Sequence, residues 1–248
     1  MARNLYMHET IDIVGDGAAA YMEHLVHGRM SRPARSEEQR PKDRGLMGTF
    51  SVVGTTGRWP QVINLSQTGD WEAWGRLVQN TYVNRRGGSG AFLKGEELQQ
   101  WWREAMKTRT GGFDRVLGSV EGCPTMSELR ERGIRGSVFV HEISEVRPGS
   151  GPEYLGAVHA ERRPLLGEYG VELVGLYEVM FHDTEVITVW ATHVPNLVKL
   201  QQADDEQSPP GTTDDRLVKW RSTARQFLTR RREELMVPYS GTMLAPSE

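Results

Sequence analysis

Two short segments carry the residue types best suited to chemistry, Leu5-Tyr-Met-His-Glu-Thr-Ile-Asp-Ile13 and Val138-Phe-Val-His-Glu-Ile-Ser-Glu-Val146. Each sets an imidazole, the side chain that titrates nearest neutrality, beside a carboxylate, and both groups serve as general acids and bases. Both runs alternate in the manner of strands, so His8 and Glu9 point to opposite faces, as do His141 and Glu142. Neither pair can act as a side-by-side dyad; a partner must come from another strand. The segments lie 133 positions apart (5 to 138), and Tyr21 and Tyr154 keep the same offset, so the chain carries an internal repeat.

The elements that would position these residues follow from periodicity and punctuation. A strand over Leu5 to Val14 is broken by Gly15-Asp-Gly17 and followed by a helix over Ala18 to Val26. Arg29 to Arg44 reads as a loop. Gly48 to Val53 and Gln61 to Ser66 form a hairpin around Gly54-Thr-Thr-Gly57. Asp70 caps a helix with Trp71, Trp74, Leu77 and Val78 on one face. A glycine-rich loop at Arg85 to Gly90 precedes a helix over Gly95 to Thr108, and Phe113 to Val120 closes the half. The second half runs the same way: a strand over Val138 to Val146, a helix over Glu153 to Glu168 bent near Pro164, and a hairpin of Val174 to Phe181 with Glu185 to Thr192. Then come a helix from Pro195, an acidic loop over Ala203 to Asp215, a helix over Arg216 to Glu234, and a strand over Leu235 to Tyr239. Each half is therefore an α+β unit of βαββαβ order, the ferredoxin-like arrangement, with one repeat over 1–125 and the other over 126–248. Two such sheets joined by their open faces would make a pseudo-dimeric barrel with space for a ligand.

Strand alternation then proposes which residues look into that barrel. Tyr177, Val179 and Phe181, with Ile187, Val189 and Ala191, form apolar faces expected to pack on helices, as do Phe50, Val52, Ile63 and Leu65. The opposite faces hold Leu176, Glu178, Met180, Thr188, Trp190 and Thr192, with Asn64 and Ser66 in the first half. His8 travels with Tyr6 and Thr10, and it is assigned to the cavity together with His141. Glu178, His141 and His8 are thus the candidate catalytic groups, with Glu178 a carboxylate whose pKa an apolar enclosure would raise. Trp190, Thr188, Thr192, Met180, Asn64 and Tyr6 are the candidate ligand-binding residues.

Composition narrows the classes. The formal charge of −3 over 248 residues does not suit a nucleic-acid-coating protein, and the basic run Arg225 to Arg232 reads as a solvated helix face. The single cysteine, Cys123, permits no intrachain disulfide, and no apolar run approaches a membrane span. The expectation is a cytoplasmic protein with neither nucleic-acid nor membrane partners. His24 and His27 share a helix face but lack further ligands at metal-site spacing, so no metal is assigned. The loop Arg85 to Gly90 lacks the lysine of a phosphate-binding loop.

The second half, with Val140-His-Glu-Ile-Ser-Glu-Val-Arg-Pro-Gly-Ser-Gly151, Tyr154, Pro164-Leu165, Val174-Gly-Leu-Tyr-Glu178, Val189-Trp-Ala191 and Arg230 to Pro238, resembles a NIPSNAP-type domain of the dimeric α+β barrel superfamily. The first half looks like a divergent copy. The resemblance implies a tandem, pseudo-dimeric barrel, and the superfamily hosts cofactor-free monooxygenases, lactone isomerases and haem-dependent enzymes. The functional expectation is a small molecule, apolar or aromatic, bound in the barrel and undergoing proton-transfer chemistry: isomerisation, cyclisation, elimination or cofactor-independent oxygenation. No cofactor is called for. The alternatives are a non-catalytic ligand-binding or interaction protein and, through His159 as an axial ligand, a haem enzyme. Homo-oligomerisation through the outer faces stays open.

Overall fold

The structure is a computed structural model that describes residues 3–27, 44–79, 83 and 96–247, with 96–99 described by backbone alone. The expected loop over Arg29 to Arg44 lies almost wholly outside the described residues, and the glycine-rich loop at Arg85 to Gly90 lies entirely outside them. The elements are β1 (Leu5–Ile13), α1 (Ala18–His27), β2 (Gly45–Val52), β3 (Gln61–Gly69), α2 (Trp71–Val78), α3 (Glu96–Thr108), β4 (Arg109–Ser119) and α4 (Met126–Glu131). They continue with β5 (Val138–Val146), α5 (Gly151–Ala157), a π turn (Val158–Arg162), α6 (Arg163–Gly167), β6 (Glu172–Val179), β7 (Glu185–Thr192), α7 (Val194–Asp204), α8 (Asp215–Ala224) and β8 (Leu228–Pro238).

The eight strands are antiparallel to their neighbours and close into a barrel in the order β1-β3-β2-β8-β5-β7-β6-β4. Strands of the first half sit side by side as β4-β1-β3-β2, and those of the second as β8-β5-β7-β6. Two short seams join them: Phe50 to Val52 pair with Met236 to Pro238, and Leu117 to Ser119 with Tyr177 to Val179. The seams leave the remainder of β4 and β8 paired on one side only, to β1 and β5.

Two apolar layers hold this barrel. Inside it, Tyr6, Phe50, Ile63, Leu65, Leu117, Phe139, Tyr177, Ile187, Val189 and Met236 belong to one core cluster. The faces expected to pack on helices are therefore the inner ones. Outside, Val140, Leu176, Val186 and Trp190 pack under α5 to α8, and Ile11, Val62 and Tyr21 pack with α1 and α3. The expected faces are inverted because polarity was taken as the mark of the cavity. In this chain the helix-covered face tolerates polar groups that pair with one another, and the barrel interior is an aromatic core. Phe181 belongs to neither layer; it lies in the turn after β6 at φ 64° and is 76% exposed.

The late helix is shorter than expected. It ends at Ala224, and Leu228–Pro238 is strand β8, so the basic run is largely strand rather than helix face. Its register against β5 sets His141 opposite Glu234 and Glu142 opposite Glu233. The strand over Phe113 to Val120 also begins earlier, at Arg109, directly after α3. The bend near Pro164 is a π turn: proline cannot donate to the carbonyl four residues back, and the helix widens before it. α4 is an added element, held by a capping box in which Thr125 and Glu128 satisfy each other's backbone N–H groups. Its Met126 and Leu129, with Leu244, join the inner core and close one end of the barrel.

Candidate functional site

At the other end the interior changes character along β4, β8 and β7. From Leu117 the inward positions of β4 pass to Arg115 and the exposed Phe113; β8 passes from buried Met236 through Glu234 to exposed Arg232; and β7 ends at Glu185. Arg115 donates to Glu185 at 2.8 Å, and Arg232 pairs with Glu234 at 3.0 Å. This is a charged mouth above an apolar floor. His8 and His141 lie at the boundary, both 1% exposed, with Nε2 atoms 3.0 Å apart and rings stacked at 4.9 Å.

Hydrogen-bond bookkeeping orders the protons. Burial pushes the His8 imidazole well below its ordinary pKa, and the charges of His141 and Arg115 push the same way. Burial also lowers His141, against a smaller opposing pull from Glu234. Both rings are therefore neutral near pH 7. Glu234 accepts from His141 Nδ1 at 3.3 Å; burial would raise its carboxyl, but His141 and Arg232 outweigh this and hold it ionised. With Nδ1 of His141 carrying its proton, His141 Nε2 is an acceptor, and His8 Nε2–H must donate to it. His8 Nδ1 is left as a buried lone pair with no partner among the described residues. The chain Glu234, His141, His8 is a relay ending in an unused base. Glu234 escaped the sequence reading because a strand was read as helix; the period-2 run Arg230, Arg232, Glu234, Met236 was the available signal.

Tyr6 also faces inward, its ring 4.8 Å from that of Tyr177. The remaining expected cavity residues lie on the outer face. Glu178 pairs with Arg3 at 2.6 Å and is partly exposed, so it does not stand in the apolar enclosure expected for it. Met180 lies just beyond β6, its sulfur 3.5 Å from Arg3. Trp190 is buried under the helices and donates to Thr188 Oγ1 at 2.9 Å, and Thr192 donates to the carbonyl of Gly170. Asn64 lies between Glu9 and Tyr21 under α1.

Two outer clusters centre on the glutamates of the repeated strands. In the second half, Glu142 is fully buried and accepts from Arg162, from Tyr154 at 2.9 Å and from Ser144 at 3.2 Å, with Arg231 3.3 Å away. Burial alone would raise its pKa, but the two guanidiniums hold it at about 2. Arg162 also lies over the rings of Trp190 and Trp220. The cavity beside them, of about 40 Å³, has room for little more than water. In the first half, Glu9 is opposite Asp114 and Asn64 in register.

The other histidines are accounted for locally. His24 donates to the carbonyl of Trp101 and stacks on its ring, and His27 meets Tyr239 edge-on. No group of three or more metal-binding side chains occurs among the described residues. His159 borders a surface groove, its Nδ1 accepting from Arg163. Val171 and Leu173 line that groove together with the charged Arg163 and Glu172. His182 hydrogen-bonds Thr184 in a turn, and His193 meets Ser137 at the surface. Burial pushes the Cys123 thiol up to about 12, and its sulfur accepts from the Leu176 N–H at 3.3 Å.

No family profile matches the chain, and no curated protein matches its sequence. Solved structures do share its fold. An anthrone oxidase-like protein aligns with TM-score 0.59 at 11% identity, over 99% of this chain and 97% of its own. A Fusobacterium nucleatum protein, provisionally a monooxygenase, aligns with TM-score 0.56 at 10% identity, over 96% of this chain and 93% of its own. These are dimeric α+β barrel proteins, and the likeness establishes that fold for this chain. A NIPSNAP domain protein from Burkholderia xenovorans aligns with TM-score 0.35 at 14% identity, over 44% of this chain and 99% of its own. That similarity is too low to carry the finer NIPSNAP assignment.

Proposed function

We propose that the barrel mouth binds a small, largely apolar or aromatic molecule and that His8 acts on it as a general base. The observation that carries this reading is the 3.0 Å contact between His8 and His141, backed by Glu234 and ending in an unpaired His8 Nδ1. A proton taken by His8 Nδ1 leaves an imidazolium whose Nε2–H already points at His141, and the Glu234 carboxylate stabilises the charge through the relay. Such a step opens isomerisation, cyclisation, elimination or cofactor-independent oxygenation. The monooxygenase-like and anthrone oxidase-like neighbours are compatible with it. The same reading takes the halves as tandem ferredoxin-like units meeting near 125/126. It keeps the protein in the cytoplasm, with oligomerisation through outer faces as a separate proposal. No helix among the described residues is long and apolar enough to cross a membrane.

One observation favours a second, non-catalytic reading: Tyr6, Phe50, Phe139 and Tyr177 fill the interior below the histidines. A ligand screen by thermal shift, followed by turnover assays on each hit, separates the two. Catalysis by the relay requires His8→Gln to abolish turnover and Glu234→Gln to lower it about 10²-fold or more. Unchanged turnover in both variants would rule the relay out.

A further inference from the structure

The repeated strand has a second consequence on its outer face. Position by position, the two halves match: Glu9 with Glu142, Tyr21 with Tyr154, and, through their register, Asp114 with Glu233 and Asn64 with Thr188. In the second half this cluster is sealed, with Glu142 neutralised by Arg162 and Arg231 under Trp190. Arg231 lies two residues before Glu233, and the corresponding residue in the first half is Gly112. A side chain there would run into the Thr10 carbonyl.

The first-half cluster differs in protonation and in access. Glu9 is half-buried, and Asp114, directly opposite on β4, is open to solvent. Carboxylates at opposed antiparallel positions lie close enough to repel, which favours one proton between them. Burial raises the Glu9 carboxyl, and Asp114 raises it further; burial also raises Asp114, with Arg109 opposing. Below them Thr49 donates to Asn64 Oδ1 at 2.6 Å, which orients the Asn64 amide. The Asn64 amide nitrogen then donates to Glu9 at 3.3 Å and to the Tyr21 oxygen at 3.2 Å. Tyr21 is 2% exposed, and its hydroxyl oxygen accepts from the Asn64 amide, which fixes the ring beside Glu9. The stacked pair Trp101 and Trp102 stands alongside, with Arg109 over Trp102, and the Trp101 indole N–H is buried without a partner among the described residues.

We propose that Glu9, Asp114, Tyr21 and Asn64 form a second acid–base site, between the first-half sheet and its helices, for a neutral planar carbonyl compound with an acidic C–H beside the carbonyl. Burial works against the charged form of both carboxyls and Arg109 lies nearby, which suits an uncharged ligand. The tryptophans supply a flat apolar wall. The ionised carboxylate, Glu9, takes the α-proton; the C–H bond breaks, the electron pair moves through carbon to oxygen, and Tyr21 donates to the enolate oxygen that forms. Returning the proton from Glu9 to carbon completes an exchange or a 1,3-shift, with no oxidant or reductant consumed.

The test uses the full chain and 2-tetralone as probe, following α-proton exchange in deuterium oxide by NMR. Saturable, protein-dependent exchange is expected, falling at least about tenfold in Glu9→Gln and in Tyr21→Phe. His8→Gln, measured in parallel, separates this site from the barrel mouth: exchange kept in Glu9→Gln but lost in His8→Gln would belong to the histidine relay. Asp114→Asn, an exposed change that leaves the fold intact, should move the pH profile of exchange to lower pH by removing the neighbouring charge. Exchange no faster than in Glu9→Gln, or exchange lost only in His8→Gln, would overturn the proposal. So would carbon-13 carboxyl titrations showing Glu9 and Asp114 ionising independently at ordinary carboxylate values.

Discussion

Glu9 and Glu142 occupy the same place in two copies of one strand, yet their neighbours push them in opposite directions. For Glu142 the folded pKa, about 2, lies below the unfolded value near 4.5, so its contribution is fully present above pH 4.5 and is lost as pH falls toward 2. Glu142→Gln leaves two arginines facing a neutral amide and should cost about 3–5 kcal/mol in urea unfolding at pH 7. Glu9→Gln should cost far less, because burial and the neighbouring Asp114 work against the charged form of Glu9, whereas two guanidiniums favour that of Glu142. Comparable losses in the two variants would contradict the asymmetry. The histidine pair has its own signature. Both rings titrate below the unfolded value of about 6.5, so the unfolded chain takes up protons that the native state refuses. Stability should therefore fall as pH drops below about 6.5, and the double variant His8→Gln/His141→Gln should show a shallower slope of unfolding free energy between pH 7 and 5. An unchanged slope would mean that the pair is not neutral in the folded protein.

Strand β8 shows how an element decides what its residues can do. Read as helix, Arg225 to Glu234 is a solvated charged face; as strand, alternate residues go to opposite sides of the sheet. Glu234 thereby joins the histidine relay, while Arg231 and Glu233 join the network around Glu142. Local composition favoured helix because Arg and Glu are good helix formers, and pairing with β5 overrode that preference. The bulges of β2 and β6 are a second case. Gly48 and Gly175 sit at register shifts, and the rings of Phe50 and Tyr177 fold back over them inside the barrel. A methyl group at Gly175 would enter the Tyr177 ring, so Gly175→Ala should destabilise by about 1–3 kcal/mol. A stability equal to that of the parent chain in chemical denaturation would show that the ring has room to move.

Across the whole molecule, the barrel closes only when each half supplies two edges to the other. Phe50 and Phe139, one from each half, meet at 4.8 Å in the common interior, and the His8–His141 contact likewise crosses between halves. Residues 1–125 alone would expose that aromatic face and two strand edges, so the fragment should be unfolded or self-associated, and mixing it with 126–248 should restore a compact heterodimer by size exclusion and circular dichroism. A monomeric, cooperatively folding single half would refute this. Much of the architecture was legible in the chain: the 133-residue offset, the hairpins and most helices follow from local patterning, because alternation and turn chemistry act over a few residues. Even α4 was signalled, by Thr125-Met-Ser-Glu128. Which face of each strand turned inward was not legible, since both faces are buried and apolar side chains line both. That choice belongs to barrel closure, which brings residues far apart in sequence into one layer. It placed Trp190 and Glu178 outside, set His8 against His141, and left one repeated glutamate sealed and the other open.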